Sequence, residues 1–288
     1  MTEMFQSPTF LYLIVLCQVL VLSYVLPRVV LRRAEHILAT YPPTDYPRLY
    51  PVDRLAVSKA LERYRTANRV ALVVGFALVA HALITGSAEL LGWDSGSVIA
   101  LYGLLQLATL GLVAMSGFAY FNGRRRPDRR AKRTAQLRPR RLFDYVSPAL
   151  LAVAVVVYLG FVAFIAYVDR FGFSWFGGYW NIVGITAMNV MFGAIIFRKL
   201  RSGARSDPYQ SADQTDRQLV CTFRVLLVMS VISTCFVVLA IGIRALDQPA
   251  LIPVCQSLFL QFSGLLALRE FRIDSVDFEV YRDGAVAV

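Results

Sequence analysis

Charge is scarce in this chain. Only 17% of its 288 residues are Asp, Glu, Lys or Arg, while 57% are hydrophobic. A soluble domain usually carries about 25% charged residues. The scarcity is also uneven. Seven apolar runs, 10–26, 70–85, 98–121, 149–168, 180–197, 225–243 and 250–268, contain no Asp, Glu, Lys or Arg at all. Ionisable groups at membrane depth are the usual mark of proton relays, ion coupling and voltage sensing. Their absence argues against a carboxylate-driven symporter or pump. The last run has no lysine, which excludes a retinal Schiff base.

Histidine and cysteine are equally sparse. Two histidines, His36 and His81, argue against zinc chemistry or a bis-histidine haem site within one chain. The four cysteines, Cys17, Cys221, Cys235 and Cys255, lie in or beside apolar runs, so no disulfide framework is implied. No phosphate-binding glycine loop and no His-Glu-x-x-His occur. Ala114-Met-Ser-Gly117 lacks the first glycine of a Gly-x-Ser-Gly nucleophile motif. Ser116 also falls about 10 Å from the inner boundary, against about 18 Å for His81, at 1.5 Å per residue. No nucleophile–base pair can be assembled, so an enzyme is not expected, and no cofactor or metal is implied.

What is present is length and a basic block. Each run is close to the roughly 20 residues that span a bilayer. Residues 122–141 hold ten Lys/Arg against Asp128 alone. The predicted fold is therefore an all-α integral membrane protein with seven transmembrane helices and a single membrane domain over 1–288. Internal loops cover 27–69, 122–148 and 198–224. The first nine residues lack the basic start of a signal peptide, so 10–26 is expected to stay as the first span. Of the 30 Lys/Arg, 28 fall in the three internal loops and the tail. Only Arg170 and Arg244 fall outside. The positive-inside rule then puts the N-terminus outside and the C-terminus inside. The expected location is a cell membrane, the inner membrane of a bacterium.

Pro27 is expected to end or kink the first helix. Tyr41–Pro51, with four prolines, should run extended, as a stiff connector or a partner-docking motif. Asp53 reads as an N-cap. Val57, Leu61 and Tyr64 then share one face opposite Arg54, Lys59, Arg63 and Arg65. That pattern predicts an amphipathic helix at the cytoplasmic interface. Ser147-Pro148 opens the fourth span with proline in the first turn. The loop 169–179 is rich in aromatics and suits an interfacial belt, a cap over a ligand cavity or a subunit contact. The three hairpins formed by spans two to seven have similar lengths, with little residue-by-residue similarity.

The uncharged polar residues inside the runs are the remaining candidates for chemistry. His81 falls about 18 Å above the inner boundary, and Gln106 and Thr109 about 21–26 Å. A bond from His81 to either is expected. It would hold two helices together, or make His81 a proton-sensitive gate. Asn189, Gln256 and Gln261 are the first candidates to line a cavity, because amides are the costliest uncharged groups to leave unpaired in lipid. Packing faces joined by interhelical hydrogen bonds are the alternative. Arg124, Arg125, Arg126, Arg129, Arg130, Lys132 and Arg133 suit anionic headgroups or an acidic partner. No aromatics interleave them, so nucleic acid is not expected. Two functions fit: a channel- or transporter-like protein for a neutral or hydrophobic small molecule, and a non-enzymatic scaffold or accessory subunit. A homo-oligomer or a partner membrane subunit suits either.

Overall fold

The computed structural model describes residues 8–50, 54–86, 98–99, 101–109, 141–201, 212–271 and 276–282. Every regular element among them is helical. Helix α1 runs as Pro8–Leu20, a π-turn Val21–Val25 and Leu26–Thr40. Helix α2 is Arg54–Thr85. Residues 98–99 and 101–109 are helical and form the described part of α3. Helices α4, Pro148–Asp169, α5, Trp180–Arg201, and α6, Ala212–Ala245, follow. Helix α7, Ile252–Ala267, sits between short 3-10 turns at Pro249–Leu251 and Leu268–Phe271. Six of these helices are long and apolar enough to cross a membrane. The protein is thus a polytopic, membrane-embedded helical bundle. Most of the expected third span, 98–121, and the basic residues 124–133 lie outside the described residues.

Three expectations need correction. Pro27 does not end α1, which continues to Thr40 with Pro27 buried inside it. Proline has no N–H to give to the carbonyl four residues back, Ser23. The π-turn stands at that place: the Leu26 N–H bonds the Val21 carbonyl, five residues back. The proline-rich connector is not extended either. It folds into a turn closed by Asp45 N–H and Tyr46 N–H on the Pro42 carbonyl, then a 3-10 turn, Pro47–Leu49. Thirdly, α6 starts at Ala212, well inside the expected loop 198–224. Thr215, Leu219, Phe223 and Leu227 recur every four residues and are buried. That stripe is amphipathic, and an apolar-run criterion passes over it.

The face expected from Val57, Leu61 and Tyr64 is the inward face of α2. It carries on through the buried Asn68, Ala71, Gly75, Val79 and Ala82. Asp53 lies outside the described residues. Pro148 stands in the first turn of α4, as expected.

The helices form two units. α1, α2, α3 and α7 pack around Val15, Val19, Val79, Ile99, Tyr102 and Val254, with Leu22, Leu26 and Leu260 beside them. α4, α5 and α6 pack around Phe161, Ile165, Ile185 and Ile241, and around Phe223 and Ile196 further along. The main contact between the units is α6 against α7, where Phe236 stacks on Phe259 with ring centroids 4.6 Å apart.

One end of the bundle collects the bases. Arg65 bridges Glu35 on α1 at 2.6 Å and also pairs with Glu62. Arg33 reaches the Leu268 carbonyl at 3.4 Å, and Lys199 the Thr222 hydroxyl at 3.3 Å. These contacts tie α1 to α2 and to the end of α7, and α5 to α6. The other end holds Arg170 and Arg244. There Arg244 lies 5.1 Å from the Trp175 ring centroid, in a chain of ring contacts through Phe171, Phe173, Trp175 and Phe176.

Candidate functional site

The most polar part of the interior is a directed chain of hydrogen bonds linking α7, α1, α3 and α2. The Ser257 hydroxyl donates to Gln18 Oε1. Gln18 Nε2 donates to Gln106 Oε1 at 2.7 Å. The Gln106 amide spends its two protons on Ser23 Oγ, at 2.9 Å, and Tyr102 Oη, at 3.0 Å. The Tyr102 hydroxyl then donates to the Ala71 carbonyl at 3.0 Å. Gln18 and Ser257 are 0% exposed. Each amide both donates and accepts, so neither can be turned over without breaking a neighbour's bond.

Local structure explains how these groups meet. Gln18 and Ser23 are five residues apart, about 140° off one face in a regular α-helix. The π-turn winds five residues into a wider turn and brings Ser23 inward. Gly75 opens the space for Tyr102: a Cβ there would sit 2.2 Å from its hydroxyl and 2.7 Å from Val19 Cγ2. One turn further along α3, the Thr109 hydroxyl lies 3.0 Å from Asn68 Oδ1 and 2.7 Å from the Gln106 carbonyl.

The expected bond from His81 to Gln106 or Thr109 is therefore not made. His81 is exposed, and its carbonyl accepts the Thr85 hydroxyl. Thr109 is level with Asn68. His81 stands thirteen residues further along α2, about 20 Å away at 1.5 Å per residue. Measuring both helices from one inner boundary misplaces the pair, because α2 and α3 are staggered, with Thr109 beside Asn68. Of the network, Gln106 and Thr109 stood out in the sequence. Gln18, Ser23, Asn68 and Tyr102 did not, since lone polar residues in separate apolar runs carry no pairing signal.

Asn189 on α5 accepts the Ser230 hydroxyl of α6 at 2.6 Å. Tyr158 and Thr186 join α4 to α5 at 2.7 Å. The other two amides differ. Gln256 Oε1 and Gln261 Nε2 are buried without a partner among the described residues, and so are Ser263 Oγ and Tyr64 Oη. Gln256 and Ser263 are 7% and 5% exposed. Positions 256, 259, 260 and 263 share one side of α7. Phe259 meets Phe236 of α6, and Leu260 covers Gly103 of α3. Gln256 and Ser263 thus leave α7 between its contacts with α6 and α3, at the seam of the two units. Among the described residues no three His, Cys, Asp or Glu gather to hold a metal ion.

No family model matches this chain, and no curated protein and no solved structure matches it. Its class is that of a polytopic membrane protein in which, among the described residues, the buried polar side chains are uncharged amides and hydroxyls. Those groups carry what can be inferred about its activity.

Proposed function

We propose that this is a channel- or transporter-like protein that binds or passes a neutral or hydrophobic small molecule. One observation carries the reading: two buried, uncharged polar atoms, Gln256 Oε1 and Ser263 Oγ, lack a partner on the side of α7 next to the contact between the helical units. An unpaired amide in a dry interior costs about 1–3 kcal/mol, so evolution gains from it only where something pairs with it in turn. Amides and hydroxyls offer an uncharged solute its hydrogen bonds and offer a charged one no counter-charge. In this reading the chain spans the membrane seven times, with the N-terminus outside and the base-rich end in the cytoplasm. The first turns of α2 lie at the interface, and anionic headgroups gather at the basic end.

The test is solute flux into liposomes holding the purified protein, with glycerol as the uncharged probe and sodium as the charged one. Glycerol uptake above that of empty vesicles, cut at least tenfold by Gln256→Leu with Ser263→Ala, is the expected result. Uptake equal to that of empty vesicles removes the reading.

A second reading, a non-enzymatic scaffold or accessory subunit, is favoured by the apolar flank of α4 and α5. Val155, Val156, Leu159, Val190 and Met191 are exposed there. A stoichiometric second chain retained through purification in mild detergent, and absent after Val156→Glu, would carry it.

A further inference from the structure

The unpaired groups at the seam are a problem of packing as well as of polarity. The Gln256 Oε1 and Ser263 Oγ atoms are shut off from solvent. On the same side of α7 stand Phe259, which stacks on Phe236 of α6, and Leu260, which covers Gly103 of α3. No water or solute can reach either atom while the seam is closed. Other interior amides are paired, Gln18 with Gln106 and Ser257 and Asn189 with Ser230, while Gln261 Nε2, on another side of α7, is not. Gln256 Oε1 and Ser263 Oγ are the two buried unpaired atoms that share the side of α7 next to the contact between the units.

The two units also differ in how they are held together. Within the first, the Gln18–Gln106 chain locks four helices. Within the second, Tyr158–Thr186 and Ser230–Asn189 join three. Between the units, Phe236 of α6 stacks on Phe259 of α7 part-way along the two helices. Breaking that contact costs apolar burial, which lipid tails replace at little loss. Opening it also hydrates two groups that are orphaned when it is closed.

We propose that α4–α6 and the α1–α3–α7 unit separate at this seam as rigid bodies, exposing an aqueous crevice lined by Gln256 and Ser263. The closed form described above is one of its two states. The crevice takes water and a small uncharged solute that donates a hydrogen bond to Gln256 Oε1. This inference rests on the transport reading for its purpose, and its test is independent of flux.

The test is thiol accessibility. In a background of Cys17→Ala, Cys221→Ala, Cys235→Ala and Cys255→Ala, three single cysteines are compared in liposomes: Ser263→Cys, Gln256→Cys and Thr234→Cys. The probe is a small water-soluble methanethiosulfonate, which needs a hydrated thiolate. Thr234 is 1% exposed and one turn from Ser230, on the side of α6 that meets α5. Opening predicts labelling at 263 and 256 at least tenfold faster than at 234. It also predicts that adding Gln256→Leu to Ser263→Cys slows labelling about tenfold, because the amide no longer gains water on opening. Equal rates at all three positions, or no labelling at 263 and 256, overturn the proposal. Where one seam cysteine prevents folding, the other decides. Labelling without glycerol flux leaves the opening standing and removes the transport reading; flux without labelling does the reverse.

Discussion

Gln18 on α1 and Gln106 on α3 are joined side chain to side chain at 2.7 Å, with both residues buried. The pair is the middle of the Ser257–Gln18–Gln106–Tyr102 chain, and it closes α1, α3 and α7 onto one another. Interhelical hydrogen bonds in membrane proteins contribute about 0.6 kcal/mol on average. Removing one partner costs more, because it orphans the rest.

Gln106→Leu leaves Gln18 Nε2 without its acceptor and takes a donor from Ser23 and Tyr102. A loss of about 1–3 kcal/mol is expected. Gln18→Leu has a similar cost, and the double variant loses less than the two singles combined. Thermal unfolding in detergent reads this. Strict additivity would show that the two amides do not act as a pair.

Gly75→Ala places a methyl group on the Tyr102 hydroxyl and Val19. Overpacking of this kind costs about 1–3 kcal/mol. Tyr102→Phe in the same background removes the clashing oxygen and recovers part of the loss. Gly160→Ala, at a helical glycine with nothing within 4 Å, leaves the melting temperature unlowered. A Gly75→Ala protein as stable as wild type would show that Tyr102 does not seat against α2.

His81→Leu changes stability by less than about 0.5 kcal/mol, the range of an exposed site without partners, and leaves glycerol flux intact. A pH-dependent flux that vanishes with His81→Leu would restore the histidine to the mechanism.

At the basic end, the C-terminal tail docks on the 41–50 connector. Tyr41 stacks on Phe278 with centroids 4.5 Å apart, and the Tyr46 hydroxyl donates to Glu279 Oε1 at 2.8 Å. That hydrogen bond pushes the Tyr46 phenol above its ordinary value, with smaller help from burial and from the Glu279 charge. A raised phenol value means the contact is fully present below the ordinary tyrosine pKa of about 10. It is lost as pH rises through the raised one. Ultraviolet titration of Tyr46 should show ionisation above the ordinary value, and Glu279→Gln should move it down. A Tyr46 titration unmoved by Glu279→Gln would mean the tail does not dock there.

Arg244→Ala removes the cation held over Trp175. About 0.5–1 kcal/mol is expected at such an exposed contact, with a change in tryptophan emission. Arg244→Lys keeps part of both. Emission identical in all three proteins would mean the guanidinium is not on the ring.

The positions of the apolar helices were legible because spanning length and freedom from charge are local properties. Helix ends were less so. Thr40 and Ala212 lie beyond what an apolar run marks, since the flanking turns are amphipathic. Pro27 does not end α1, because a π-turn five residues long can precede a proline inside one helix. Asn189 and Gln256 belong to the same residue class and look alike in sequence, yet the Asn189 oxygen is paired and the Gln256 oxygen is not.

Taken alone, the sequence determined the class of molecule: long uncharged apolar helices with their bases gathered in a few segments can rest only in a bilayer. It also showed that the apolar runs carry no Asp, Glu, Lys or Arg. Which of their uncharged polar groups meet was decided by the tertiary structure. The stagger of α2 against α3 puts Asn68, not His81, beside Thr109. The π-turn in α1 brings Ser23 to Gln106. The division into two units leaves Gln256 and Ser263 at the seam. Each depends on how helices slide and rotate against one another, and an uncharged residue in an apolar run reports nothing of that until its partner is in place.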